Sequence, residues 1–291
     1  MATTHTKGLA RSMMAPAVIV LLIWMLVPLV MTLYFSTLRT PLGTPVLSAG
    51  FTGWGNYTYF TSDPAFWESI GNTLLLVGGV LVISIGGGIG VALLLDQAFH
   101  GRTIVRLLCI APFFVMPTVS ALVWKNMFFN PVSGLFAFLF KSLGLQPIDF
   151  LGQYPLASVT FIVGWEWMPF ATLILLTSLQ SLSEEQKEAA EMDGASAFSR
   201  FVYIILPHMS RAITIVILIE TIFLLGIFAE IFVTTAGGPG TESTNLTYLV
   251  FKQALVNFDP GAASAGGIIA VILANIVAIF LLRIVGRNIE A

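Results

Sequence analysis

Six stretches of this chain are almost uninterruptedly apolar, and nearly all of its charge lies in the gaps between them. They run Met14–Ser36, Ile70–Leu95, Leu107–Trp124, Leu156–Leu179, Ile213–Ala236 and Ala263–Val285. About 20 consecutive apolar residues of helix cross the hydrocarbon core of a bilayer, so each stretch is predicted as a membrane-spanning helix. None shows the alternation over about ten residues that marks a barrel strand. The first is longer than a signal-peptide core, and no small-x-small cleavage site follows Tyr34-Phe35-Ser36, so it is expected to stay attached.

Composition agrees. Of 291 residues, 57% are hydrophobic and 10% charged, where soluble domains carry about a quarter charged residues. The fold class expected is therefore an all-α integral membrane protein of six spans, organised as a single membrane domain over 1–291. A net charge of −2 points to no nucleic-acid partner. The one cysteine, Cys109, excludes an intrachain disulfide and suggests no metal cluster. Orientation follows from the basic residues. With both ends in the cytoplasm, Lys7, Arg11, Arg102, Arg106, Lys187, Arg200, Arg211, Arg283 and Arg287 lie inside. Arg39, Lys125, Lys141 and Lys252 lie outside, nine against four.

The gap between the fourth and fifth spans, residues 180–212, is the most charged. Glu184-Glu185-Gln186-Lys187-Glu188-Ala189-Ala190-Glu191-Met192-Asp193-Gly194 reads as a short helix. Ser183 and Gln186 would form its capping box, and Gly194 would end it in the left-handed conformation. A second helix, stopped by Pro207, is expected to follow. Small side chains at Ala189 and Ala190 let another protein's groove approach, so the pair reads as a docking handle.

The order Glu-Ala-Ala, three residues, Gly, nine residues, Ile-x-Leu-Pro resembles the cytoplasmic loop of permease subunits in binding-protein-dependent ABC importers. Glu188, Ala189, Ala190, Gly194, Ile204, Leu206 and Pro207 fill its defining positions. After the fifth span, Thr235-Ala236-Gly237-Gly238-Pro239-Gly240 is a sharp turn, since glycine takes unusual dihedrals and proline cannot continue a helix. Tyr248, Phe251, Ala254 and Leu255 then recur at helical spacing. This turn resembles the outer end of sugar-type permeases, in particular the maltose-permease F-type subunit. The resemblance implies a type I importer fold with both ends inside. It also implies a homologous second permease, two ATPase subunits that bind ATP and Mg, an extracytoplasmic solute-binding protein, and a bacterial or archaeal cell membrane, the inner one in a Gram-negative cell. No cofactor and no catalysis are expected in this chain, which has no Walker motif. Gly86-Gly87-Gly88-Ile89-Gly90 lacks the Gly-Lys-Ser/Thr ending of a phosphate loop and is read as a close-packing face.

Three carboxylates fall inside spans: Glu166, Glu220 and Glu230. Charge is expensive in lipid, so such residues face water or a partner. Glu166 lies between Trp165 and Trp167, a pairing that suits a sugar, whose hydroxyls bond the acid and whose C–H face covers an indole. The same residues would also serve as a structural hydrogen bond among packed rings, and the sequence leaves both roles open. By resemblance, Trp165 and Pro169 coincide with a Trp and Pro of maltose-type permeases, and Phe114, Thr118, Phe223, Leu224 and Ile227 fall on sugar-contacting positions. Leu224, Ile227 and Val163 stand where that pattern has asparagines, so a different carbohydrate is implied, with Glu166 and Glu220 supplying polar groups. A proton-coupled carrier using the glutamates is the alternative, although no second copy of the Glu-Ala-Ala loop marks two repeated halves. Asn56-Tyr57-Thr58 and Asn245-Leu246-Thr247 fit the glycosylation pattern, which is short enough to arise by chance.

Overall fold

Apolar runs become helices because a backbone in lipid must satisfy its own hydrogen bonds. In a computed structural model that describes residues 4–40 and 49–289, five helices are long and apolar enough to span, and a bent pair supplies a sixth. They are α1 (Thr4–Ser36), α3 (Pro64–Asp96), the pair α4 (Arg102–Ile110) with α5 (Pro117–Val123), α8 (Pro155–Gln180), α10 (Ala197–Arg200) continuing into α11 (Leu206–Leu224), and α14 (Pro260–Ile289). Between them lie strands β1 (Leu38–Arg39) and β2 (Gly50–Phe51), and the short helices α2 (Gly55–Ser62), α6 (Leu135–Ser142), α7 (Phe150–Gln153), α9 (Glu184–Met192), α12 (Ala229–Thr234) and α13 (Leu246–Phe251).

The chain groups into two units, the smaller formed by residues up to Pro64 with Val250–Ile272. In that unit β1 pairs antiparallel with β2, Leu38 opposite Phe51. Asn56 on α2 donates to the carbonyls of Ser36 at 2.9 Å and Leu38 at 2.7 Å, and Tyr57 Oη lies 2.7 Å from Ser36 Oγ. Thr40 accepts from Gly261 N at 2.8 Å, while Asp259 Oδ1 accepts from Ala262 N at 3.0 Å and caps α14. These bonds bury Asn56, which removes it as a glycosylation acceptor.

The larger unit is built on α3, α8 and α11. The glycine run does pack closely, as read. A methyl group on Gly88 would fall 2.9 Å from Ala171 Cβ, and one on Gly164 would crowd Ile83, so α3 and α8 meet nearly backbone to backbone. At one end, Ala92, Leu95, Leu175, Leu179, Met209 and Val216 form a common core. At the other, Trp124, Phe129 and Ile162 pack with Phe136 and Phe150 beside α6.

Two spans depart from the hydropathy reading. The third bends by 103° between Phe114 and Pro117. Val115 and Met116 are both extended, with ψ 134; at Met116 the cause is Pro117, since proline disfavours the helical conformation in the residue before it. The fifth ends at Leu224, short of Ala236, and resumes as the separate α12. Pro207 does not stop a helix either. The helix runs Ala197–Leu224 through it, and a π turn over Phe201–Ile205 precedes it. Pro207 falls in the first turn of α11 after this change of register, where its missing N–H costs little.

Candidate functional site

The charged loop folds as a helix, a left-handed turn and a second helix start. Ser183 takes the N-cap position of α9 with extended backbone, but its hydroxyl makes no capping bond, so the expected capping box is not formed. Gly194, at φ +76, ends the helix as expected. Its N–H bonds Glu191 O at 3.0 Å, and Ala195 N bonds Ala190 O at 3.0 Å, the paired closure of a Schellman turn. Ser196 then caps α10 by accepting from Ser199 N at 3.2 Å, and Arg200 pairs with Glu191 across the turn.

Glu188 and Ala189 face solvent, while Ala190 is largely buried. Met192 is 90% exposed and Tyr203 78%. A cleft of about 560 Å³ lies beside the turn, bounded by Glu188, Glu191, Arg200 and Ile204 and by Leu93 and Asp96 of α3. Leu206 is half-buried and Pro207 exposed. His208 Nε2 lies 3.0 Å from both Ser181 Oγ and Ser178 O, joining the start of α11 to the end of α8.

The residues expected along a substrate path divide into two groups. Phe114, 76% exposed, Thr118 and Phe223, 60% exposed, lie open on the larger unit. Trp167 joins Phe223 and, through Phe113, Phe114 to a set of rings. Its centroid is 5.5 Å from Phe223 and 5.8 Å from Phe113, which stacks on Phe170 at 5.6 Å. Phe113 and Phe170 were not expected here; Phe113 is presented by the proline break, which no hydropathy pattern marks. Trp165 points elsewhere, edge-on to Trp124 at 5.4 Å in the outer aromatic core. Leu224, Ile227, Val163 and Pro169 are buried within the chain.

The three carboxylates are enclosed as well. Glu220 is 0% exposed and accepts from Ser84 Oγ of α3 at 2.5 Å. Glu166 lies beside Ser120 of α5 and Glu230 of α12. Glu230 is 3% exposed, so it does not reach water at the outer end. No cluster of three or more His, Cys, Asp or Glu among the described residues is placed to hold a metal ion.

The turn after the fifth span is a buried polar knot. Ala236, Gly237 and Gly240 all have positive φ, and Thr244 Oγ1 and the Tyr248 ring leave no room for a side chain at Gly237. Asn72 of α3 donates to Thr241 O at 3.0 Å and Thr244 O at 3.1 Å, and Thr73 Oγ1 accepts from Leu246 N at 3.0 Å. Lys125 Nζ bonds Val233 O at 2.9 Å, placing a cation at the C-terminus of α12. Asn245 donates to Ile227 O at 2.6 Å, and Thr247 Oγ1 to Leu225 O at 3.0 Å. Asn245 is 1% exposed and, like Asn56, closed to glycosylation.

Comparison with known proteins gives this arrangement a context. Residues 84–291 match the family described as binding-protein-dependent transport system inner membrane component. The chain is 35% identical over 251 residues to the probable ABC transporter permease protein y4oQ of Sinorhizobium fredii, covering 86% of this chain and 81% of that protein. It is 32% identical over 263 residues to the trehalose/maltose transport system permease protein MalF of Thermococcus litoralis, covering 90% and 88%. To the sn-glycerol-3-phosphate transport system permease protein UgpA of Rhizobium meliloti it is 26% identical over 287 residues, covering 98% and 97%. Among solved structures, a chain of a bacterial alginate ABC transporter, crystallised with an alginate pentasaccharide-bound periplasmic protein, superposes with a TM-score of 0.79. That chain is 22% identical, with 96% of this chain and 94% of that one covered, a likeness of fold.

Proposed function

This chain belongs to the binding-protein-dependent transport system inner membrane components, and on that premise we propose that it is one of two homologous permeases of an ATP-driven carbohydrate importer. Family membership decides against the proton-coupled carrier. The substrate class is supported by relatives named for trehalose/maltose and for glycerol phosphate, and by the exposed rings around Trp167, a surface suited to the C–H face of a sugar or polyol. Glu188 and Ala189, presented by the turn at Gly194, form the contact for an ATPase subunit, with ATP and Mg held by that subunit and its twin; Ala190, expected in that contact, instead packs inside the chain. A solute-binding protein delivers substrate from the outer side.

One observation carries the mechanism. Helix Ala197–Leu224 runs without interruption from the coupling turn to Phe223. At about 1.5 Å per residue, its 28 residues form a rod of roughly 42 Å. Displacing the turn at one end therefore tilts the rings at the other. Closure of the ATPases moves α9 and α10, and the aromatic face is presented to the opposite side of the membrane.

Reconstitution of the whole importer tests this. With ATP inside and no proton gradient, proteoliposomes should take up one of a panel of labelled disaccharides, polyols and sugar phosphates. Glu166→Gln should lower that uptake or change the preferred sugar without removing the ATP requirement. Cysteine at Ser196 should resist an impermeant maleimide applied outside intact cells, and cysteine at Thr241 should react. Uptake driven by a proton gradient alone, or the reverse labelling pattern, overturns the reading.

A further inference from the structure

The break in the fifth span leaves backbone carbonyls that no helix satisfies, and the knot supplies donors for two of them. After Leu224 the chain turns through Leu225–Phe228 before α12 begins, with Gly226 N bonding back to Phe223 O at 3.0 Å and Ile227 N to Leu224 O at 3.2 Å. The Leu225 and Ile227 carbonyls point outward from this turn. A buried carbonyl without a donor is costly. Thr247 Oγ1 meets the first at 3.0 Å and Asn245 Nδ2 the second at 2.6 Å. Asn245 is held in place, because its Oδ1 also accepts from Tyr248 N at 2.8 Å and so fixes the start of α13.

We propose that Asn245 and Thr247 are positioning residues for transport: they hold the break in the fifth span and thereby set the direction of Phe223, one turn of chain away. The inference deepens the proposed function and rests on Phe223 lying on the path. It assigns a duty to the segment after the glycine-proline turn other than simply leading the chain out of the membrane. Four features fix the broken segment together. Asn245 and Thr247 grip the turn, Lys125 caps the far end of α12, and Phe228 stacks on Tyr248 at 5.9 Å. Because the grips are side-chain bonds to backbone, they tolerate any sequence within the turn but depend on the two donors.

The donors can be removed without changing shape. Asn245→Asp keeps the oxygen that caps α13 and turns an oxygen toward the Ile227 carbonyl in place of the N–H. Thr247→Val removes the hydroxyl at constant volume, and Thr247→Ser retains it. Each is introduced into a Cys109→Ser, Phe223→Cys chain within the complete importer. The rate at which an impermeant maleimide labels position 223 from outside is measured without nucleotide and again with ATP and vanadate. The parent is expected to label faster in the trapped state. Losing one donor should raise the nucleotide-free rate about tenfold, in line with the loss of one buried hydrogen bond, and Thr247→Ser should restore the parent rate. Assembly with the ATPase, checked by co-purification, should persist. Unchanged labelling in an assembled Thr247→Val or Asn245→Asp importer overturns the proposal. So does failure of both to assemble while Thr247→Ser assembles, which would make the bonds purely structural. A parent that labels in neither state overturns the path reading instead, and the inference falls with it.

Discussion

The outer knot and the inner coupling turn are both short polar segments joining helices, yet they are built in opposite ways. In the knot, Ser243, Thr244 and Asn245 are almost wholly enclosed, and their side chains are bonded to the same unit. In the proposed coupling turn, Glu188 and Ala189 face solvent, Met192 and Phe198 are exposed, and the bonds described are a Schellman closure, the Ser196 cap and the pair of Arg200 with Glu191. The knot satisfies itself; the turn is unfinished. A segment that must keep a span broken in one fixed way benefits from internal bonds, whereas a segment that must fit another protein keeps its surface for that partner.

That contrast predicts where a substitution acts. The largest effect is expected for Glu188→Lys, which should leave the chain folded and inserted but weaken ATPase binding by about 2–5 kcal/mol, as when one partner of a buried charged contact is lost. Co-purification and substrate-stimulated ATPase activity measure it, and normal coupling in this variant would erase the distinction between the two regions. Next is Asn72→Ala, which removes two of the bonds from α3 to the knot and leaves that of Thr73. It should lower the stability of the detergent-solubilised chain by about 1–3 kcal/mol, read as a fall in unfolding temperature, with ATPase binding unchanged. The smallest is Arg200→Ala. Its pair with Glu191 is exposed on the carboxylate side, so thermal stability should change by less than about 1 kcal/mol. A larger loss would mean that the coupling turn is internally braced after all.

How much of this could be read from residue order differs along the chain. The six spans were legible because a long apolar run has few other uses. Their interruptions were not. Leu225, Ile227, Phe228 and Ile231 are as apolar as the helix before them, so hydropathy ran the fifth span on to Ala236. Prolines were legible as marks, but their effect depends on register: Pro117 bends the third span, while Pro207 sits harmlessly behind a π turn. The enclosure of Glu166 and Glu220 follows from the cost of charge in lipid, but not their partners, which come from other helices. Trp165 and Trp167 show the limit of counting. Two positions apart on a helix are about 200° apart around it. One ring enters the outer core and the other joins the exposed cluster, and nothing in their spacing says which.

The π turn at Phe201–Ile205 amounts to one residue more than an α-helix needs between the turn at Gly194 and the rings around Phe223. Each residue of helix turns the chain by about 100°. That single residue therefore fixes the angular phase between the surface proposed for the ATPase and the surface proposed for the substrate. A chain shortened by one residue there could form a perfectly regular helix and still be useless, with each face intact and the two aimed in incompatible directions.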